Sequence, residues 1–436
     1  MADINLNLRA AALDIFRHTL RAADARTATR DAVIVEGSSL RVCNSEFDIT
    51  GRKIYVVALG KAAIPMTFGL QDSLATKIDR AIISGPRSAS TDSFITAHDL
   101  FYGGHPLPNQ QSLDAAAATF ALLQEANKEN GLVIFLVSGG GSAMLESPIS
   151  KDLTLADLQA ANRQLVLSGA NISEINSVRR AISAVKGGRL ATQLSNADSI
   201  TLIVSDTNPG DEANVASGPT LPAPVDAPDP SRVIDEYRLT NSLPVAVVAT
   251  LRKQRVDLSP KPAPSYVLLD NAMAMNAAAE RAAGLGFSAA IACDINEQPI
   301  GEGSNLLLAR ARSLRNKPSC LISGGEFSCR VTGSGQGGRN LETALRCAIK
   351  IHDKVRKDEN HTVVLSAGTD GIDGSSFAAG AVADETTFAR AVELGLDPAE
   401  YLAQSNSHAF FEALDDLIVT GPTGTNVRDI RIVLRA

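Results

Sequence analysis

The segment Leu132-Val133-Ile134-Phe135-Leu136-Val137 runs directly into Ser138-Gly139-Gly140-Gly141-Ser142. Six apolar residues without a polar interruption suit a strand buried on both faces, the habit of a parallel sheet flanked by helices. Consecutive glycines after such a strand let backbone N–H groups converge on an anion with no Cβ in the way. Ser138, Gly139, Gly140, Gly141 and Ser142 therefore form the leading phosphate-cradle candidate. An ordinary glycine-rich turn explains this motif alone equally well, and it matches neither the P-loop nor the dinucleotide fingerprint, because Met144 stands where a third glycine belongs.

The same alternation extends along the chain. Strands are predicted at Lys53 to Leu59, Ala81 to Ser84, Ile200 to Ser205, Tyr266 to Leu269, Ala289 to Cys293, Cys320 to Ser323, Val363 to Ser366, Leu417 to Thr420 and Ile430 to Leu434. Helices are predicted at Leu8 to Ala22, Ser112 to Glu129, Leu155 to Leu167, Ala272 to Leu285 and Leu341 to Ile351. Strands alternating with helices indicate an α/β fold built from parallel βαβ units. The chain of 436 residues is long enough for two or three domains at about 150 residues each. The boundaries expected are 1–240 for the first, extending to about 295, and 300–436 for the second. Gly218 to Arg232, GPTLPAPVDAPDPSR, is too proline-rich for a helix interior or central strand and reads as a loop or domain linker. A faint echo of FLVSGGGSA in CLISGGEFS is consistent with a duplicated architecture.

With 41 basic against 48 acidic residues the formal charge is −7, which disfavours nucleic acid as a partner. No apolar run approaches a bilayer span. The first twenty residues carry Asp3, Arg9, Asp14 and Arg17 in place of a signal-peptide core, so a cytoplasmic location is expected. Five cysteines without a CxxC spacing argue against a disulfide framework or a zinc site. Small molecules are the expected partners, with no membrane, and the chain is expected to act as a monomer or homodimer.

Several other residues bear chemistry. Lys61 in Gly60-Lys61-Ala62 follows a strand and sits at the sheet edge where open α/β folds bind ligands. It is not a P-loop lysine, since Tyr55 and Ala62 replace the required glycine and hydroxyl residue. Gly333, Gly335 and Gly338 formally satisfy GxGxxG, but Phe327 to Thr332 before them lacks the apolar run of a buried strand. Arg339 then reads better as an anion clamp, its planar fork suiting phosphoryl oxygens. Acidic residues gather in three turns: Asp206, Asp211 and Glu212; Glu326; and Asp370 and Asp373. Hard oxygens of this kind suit Mg²⁺, although an aspartate beside glycine is also a plain turn residue. His105 and His408 have no metal-ligand spacing, and no GxSxG elbow supports an acyl-transfer hydrolase.

Taken together the motifs resemble the class II glycerate kinases (glycerate 2-kinases), whose C-terminal half is called the MOFRL domain. The resemblance runs nearly end to end. It is carried by ALGKAA (58–63), GGHPLPN (103–109), FLVSGGGSAML (135–145), EINSVRRAISAVKGGRLA (174–191) and ASGPT (216–220). The second half adds SGGE (323–326), GQGGRN (335–340), SAGTDGIDG (366–374) and TGPTGTNVRDI (420–430).

The resemblance implies two α/β/α three-layer domains with an interdomain active-site cleft, and ATP-dependent, Mg²⁺-assisted phosphorylation of D-glycerate at its 2-hydroxyl. Lys61, Arg339 and Glu326 are then the expected catalytic residues. Ser138 to Ser142, Gly337, Gly338 and Asn340 are expected on the nucleotide phosphates, and Lys61, His105, Arg179 and Arg339 on the substrate. Asp206, Asp211 and Asp370 are expected to hold the metal. Replacing Arg339 by alanine is expected to depress kcat by orders of magnitude with the fold intact.

Three departures from the family pattern stand out: Glu212 where a second aspartate is usual, Phe327 in place of Thr, and Leu341 where Gln is common. The first bears on metal geometry and the other two on substrate preference. The alternatives are an NAD(P)H-dependent hydroxypyruvate reductase, resting on the formal GxGxxG, and a non-catalytic nucleotide- or sugar-acid-binding protein.

Overall fold

The computed structural model describes residues 2–87, 98–253, 261–355 and 361–436. They form two compact units, one of residues 25–268 and one that joins residues 1–24 to residues 269–436.

The first unit opens with the short helix Ala25–Asp31 and a small antiparallel meander of β1 (Val33–Glu36), β2 (Ser39–Val42) and β3 (Ser45–Asp48). Its main sheet contains β4 (Ile54–Leu59), β5 (Ile78–Ser84), β6 (Asp99–Phe101), β7 (Leu132–Ser138), β8 (Asp198–Val204) and β9 (Ser265–Leu269), in the order β6-β5-β4-β7-β8-β9. The pairings β5–β6, β4–β5, β4–β7 and β7–β8 are parallel. Every residue of β4 and β7 is buried, as an uninterrupted apolar run requires of a central parallel strand. Tyr55, Val57, Leu59, Val133, Phe135 and Val137 point to one face, where Ala115, Leu122, Leu123 and Ala126 of the helix Gln110–Lys128 pack on them. The helix Ala63–Leu74 also packs on β4, β5 and β7.

Chain order reverses between β4 and β7 within this sheet, so their carboxyl ends flank a topological switch point, the usual ligand edge of such sheets. Between β7 and β9 the chain builds a helical lobe with its own apolar core, containing Leu158, Leu165, Ile175, Val178, Ile182, Ile234 and Val247. The proline-rich stretch expected as a loop or linker is a loop inside this unit. It ends at Asp229, which caps the helix Pro230–Glu236 by accepting from Ser231 and Arg232 N–H groups.

The second unit has a mixed sheet of β10 (Ser288–Ile291), β11 (Ser319–Gly325), β12 (Thr362–Gly368), β13 (Gly380–Asp384), β14 (Leu417–Ile418) and β15 (Asp429–Arg435), ordered β10-β11-β15-β12-β13-β14. Only β10–β11 is parallel; β15 inserts antiparallel between β11 and β12. The α/β class holds, but the sheet is not built from parallel units alone, and the echo between SGGG and SGGE does not extend to a repeated topology. Leu321, Val364 and Val433 meet Leu307, Leu308, Cys347 and Ile351 in one core layer.

The N-terminal helix Ala2–Ala22, expected in the first domain, lies instead against β12, β15 and the helix Asn271–Gly284 of the second unit. Leu8, Ala12, Ile15 and Phe16 bury its apolar stripe. Asp14 and Arg281 are paired at 2.5 Å. The division therefore falls at residue 268 and excludes residues 1–24 from the first unit, because an amphipathic helix carries no sequence signal for which sheet it covers.

Truncating Ile15, which is fully buried, to alanine should lower stability by about 2–5 kcal/mol. Amide hydrogen exchange should then speed up in β12 and β15 while β4 and β7 keep their protection. Equal acceleration in both sheets would contradict this assignment of the helix.

Candidate active site

In the first unit the ends of β4 and β7 are bracketed by one hydroxyl. Ser138 Oγ donates to the Leu59 carbonyl (3.2 Å) and accepts from Ala62 N–H (3.0 Å). Lys61 N–H donates to the Gly139 carbonyl at 2.9 Å. Gly60 has φ 110°, and a Cβ there would lie 2.3 Å from the Ser138 carbonyl oxygen, so only glycine permits this approach.

The side chains of Lys61 and His105 both pack on the backbone of Gly140. A Cβ at that position would lie 3.2 Å from Lys61 Cγ and 3.1 Å from His105 Cδ2. The Asp206 carboxylate, just past the end of β8, occupies the space above Gly139, where a Cβ would meet Oδ2 at 2.0 Å. The turn thus collects a lysine, a histidine and an aspartate from three loops. Ser138 itself is fully buried with its hydroxyl engaged on both sides, so it braces the turn and is not presented to a ligand, contrary to expectation.

A chain of hydroxyls leads inward from the turn. Ser217 Oγ gives its proton to Asn176 Oδ1 (3.0 Å), so in its 2.9 Å contact with Ser142 the donor is Ser142. The Ser142 proton expected for a phosphate is therefore already committed, leaving that oxygen an acceptor. Behind it the helix Ile172–Ile182, capped by a reciprocal Asn171–Glu174 box, supplies three polar side chains. These are Asn176, Arg179 (to Asn162 Oδ1, 2.7 Å) and Arg180 (to Asn214 Oδ1, 2.5 Å). Burial draws the Arg179 guanidinium below its usual range, opposed by Glu146, and draws that of Arg180 down to about 10. Lys186 is buried beside Glu146 in an ion pair, its pKa lowered by burial against the pull of that carboxylate.

In the second unit Arg339 opens the helix Arg339–Val355. Its fork is bidentate on Asp429, at 2.6 and 3.1 Å, and it also reaches Glu326 at 2.9 Å. Burial alone would lower the guanidinium pKa, but the two carboxylates outweigh it and hold it above its ordinary value. A bare anion clamp is thus not what the structure contains. Because the Asp429 side chain is only 1% exposed, alanine at 339 would leave a buried charge unpaired, a loss of about 3–5 kcal/mol. That variant is therefore expected to be less stable as well as slower.

Asp373 Oδ1 and Oδ2 accept from the N–H groups of Asn340 and Leu341 (3.1 and 2.8 Å), closing the start of the same helix. Asn340 is buried between Asp373 and Ser366, and the Gly337 N–H is taken by Ser375 Oγ, so both are held by the neighbouring loop and not aimed at a nucleotide. The formal GxGxxG is not a dinucleotide turn, since the stretch from Glu326 to Gly338 after β11 lacks regular helix and strand. Gly333 and Gly335 are glycines because Gln404 and Asn406 approach them, leaving 2.5 and 2.4 Å for a Cβ. Phe327 lies beneath the Arg431 guanidinium, 3.6 Å from ring centroid to Cζ, and Leu341 is fully buried. Neither can set substrate preference by contact.

Among the described residues no group of three or more His, Cys, Asp or Glu side chains comes together as a metal cage. Asp211 is exposed, and Glu212 turns back to accept from Gly210 N–H (2.8 Å), so neither lines the turn as expected. Asp370 Oδ1 accepts from Ile372 N–H at 3.2 Å within its own loop. His408 is a core residue, bonded to Ser376 Oγ at 2.8 Å.

Sequence reasoning missed Asp429, Arg180 and the Glu146–Lys186 pair. The motifs VRDI and SVRRAISAVKGG contain Asp429, Arg180 and Lys186, and Glu146 directly follows FLVSGGGSAML, yet nothing in their spacing shows that their charges are buried.

Gly139→Ala should cost about 1–3 kcal/mol by overpacking, and adding Asp206→Ala should recover most of it; a double variant as unstable as the single would refute the contact. Burial pushes the Asp373 carboxyl up to about 7 from an ordinary 3.8, against its backbone donors. The folded state then holds a proton that the unfolded chain releases, so this contribution to stability is complete below pH 4 and lost as pH rises through 7. Denaturant midpoints should show the advantage of wild type over Asp373→Asn shrinking from pH 4.5 to 7.5, and a constant gap would disprove it.

Residues 11–252 match the family model described as a domain of unknown function, DUF4147, and residues 319–429 match the MOFRL family. The glycerate 2-kinase of Pyrococcus horikoshii is 32% identical across 99% of this chain and 98% of its own. An Agrobacterium vitis protein provisionally named hydroxypyruvate reductase is 36% identical over 77% of each chain. The crystal structure of glycerate kinase from Thermotoga maritima superposes with a TM-score of 0.80 at 28% identity, covering 99% of this chain and all of that one. A match of this length and order, over both segments and the full course of the fold, makes the chain a member of the DUF4147–MOFRL family to which these glycerate kinases belong.

Proposed function

We propose that this protein is an ATP-dependent glycerate 2-kinase that converts D-glycerate to 2-phospho-D-glycerate and ADP. The observation that carries this reading is the gathering of Lys61, His105 and Asp206 on the Gly139–Gly140 backbone at the switch point of a parallel sheet, in a chain with full-length glycerate 2-kinase relatives. Phosphoryl transfer needs positioning and charge stabilisation more than covalent chemistry, and this set provides both. The Gly139–Gly141 backbone lies along the nucleotide phosphates, and Lys61 meets the charge that develops on the transferred group. His105 and Arg179 orient the glycerate. In the second unit, Arg339 is a cation held in place by Asp429 and Glu326.

Mg²⁺ that arrives with a nucleotide keeps several waters and takes one or two carboxylates, and Asp206 is the donor that suits it. When bound, the ion neutralises phosphate charge. The reaction is assigned to the cytoplasm; among the described residues no helix is long and apolar enough to cross a membrane. The reductase reading loses its support with the GxGxxG loop, whose glycines are consumed in packing against Gln404, Asn406 and Asp373.

Phosphorus NMR of a mixture of ATP, Mg²⁺ and D-glycerate should show 2-phosphoglycerate, and NADH with hydroxypyruvate should show no loss of nicotinamide absorbance. Lys61→Ala should cut kcat by about 10²–10³-fold, the range for removing one preorganised charge or donor, at unchanged thermal stability. Formation of 3-phosphoglycerate, or near-normal turnover by the lysine variant, would defeat the proposal.

A further inference from the structure

Ala216, Ser217 and Gly218 stand one after another in the left-handed region, with φ of 50°, 62° and 65°. Two of them carry a Cβ, for which that conformation is unfavourable, and such strain persists only where the surroundings over-determine it. Here they do. Gly187 and Gly188 N–H groups donate to the carbonyls of Ser217 (3.2 Å) and Gly218 (2.7 Å). Arg180 spans the whole bend: Nε donates to the Ser217 carbonyl (3.3 Å), and Nη2 to the Ala213 carbonyl (3.0 Å) and Asn214 Oδ1 (2.5 Å).

The strained segment touches the glycine turn at two points. Ser142 donates to Ser217 Oγ at 2.9 Å, and the Ala216 methyl lies where a Cβ on Gly141 would be 3.0 Å away. Arg180 is 3% exposed, has no carboxylate partner among the described residues, and leaves Nη1 buried without a hydrogen bond. A buried donor left unmatched is a cost that interiors usually avoid, so the guanidinium is held here for its fork geometry and not for a saturated polar network. A lysine in its place would keep the charge, but its single nitrogen cannot span acceptors that the fork reaches from Nε and Nη2 separately.

We propose that Arg180 is a positioning residue for the glycine turn: it fixes the left-handed course of Ala216–Gly218 so that Ser217 and Ala216 hold Ser142 and Gly141 in place. The consequence for catalysis rests on the reading that this turn receives the nucleotide phosphates; the bracing itself does not.

Hydrogen exchange on the ligand-free protein therefore comes first. In Arg180→Lys and in Ser217→Ala the amides of Ala143 and Leu145, which bond back to Gly140 and Gly141, should exchange at least tenfold faster, with β7 unchanged. The double variant should be no faster than Arg180→Lys alone. Steady-state kinetics with ATP and D-glycerate should follow the same pattern, each single variant losing at least tenfold in kcat with the glycerate KM within threefold. Ser217→Ala removes one oxygen and so stands as a test even if Arg180→Lys does not fold. Exchange at Ala143 and Leu145 unchanged in Ser217→Ala, or rising uniformly through β7, would overturn the proposal. Localised acceleration in the variants, together with a wild-type protein that phosphorylates nothing, would leave the bracing standing and defeat the kinase reading.

Discussion

The first unit depends on how closely two parallel strand ends can approach, and a single buried hydroxyl sets that distance. Ser138 Oγ joins Leu59 to Ala62 across the ends of β4 and β7, and the approach leaves no room for a Cβ on Gly60. From this contact the rest follows in order. Lys61 N–H reaches the Gly139 carbonyl, its stem lies over Gly140, and the Asp206 carboxylate drops onto Gly139. The glycines are thus defined by what lies against them on the protein side, Gly139 and Gly141 being buried and Gly140 half-buried.

Charge is arranged differently around the two sets of candidate residues. Behind the glycine turn, Arg179, Arg180 and Lys186 are gathered, Lys186 paired with Glu146, and burial lowers the pKa of all three cations. Such a surplus favours an arriving anion, because a negative charge relieves repulsion that the fold already bears. Around Arg339 the balance is reversed, with Asp429 and Glu326 both bonded to one guanidinium. The two carboxylates together hold that guanidinium above its ordinary pKa and in contact with both of them.

Much of the fold was legible because its signals are local. The runs Ile54–Leu59 and Leu132–Ser138 are apolar throughout, and the observed strands match the predicted ones to within a residue. The lysine and the glycine turn were found because sheet edges and glycine runs are local features too. What escaped depends on pairing over long sequence distance. Nothing in the sequence Ala2–Ala22 says that it covers β12 and β15, and nothing in GxGxxG says that Gln404 will approach Gly333. Phe327 and Leu341 looked like specificity residues for the same reason: the sequence marks a departure from a pattern but not the side of the element it faces.

Asp429 shows how far that limit reaches. It is the first residue of β15, and its neighbours in register are Gly325 on β11 and Gly368 on β12. A Cβ on Gly368 would stand 3.6 Å from Asp429 Oδ1, while one on Gly325 would meet Asn296 instead; the charge of Asp429 is tolerated because Arg339 arrives from the start of the next helix. Each of the three motifs, SGGE, SAG and VRDI, is unremarkable alone. Their meaning comes from the last strand of the chain entering antiparallel at the centre of the sheet, a placement fixed by tertiary packing. The buried acid and the arginine therefore act as one unit, in which changing either alters the orientation and charge of the other.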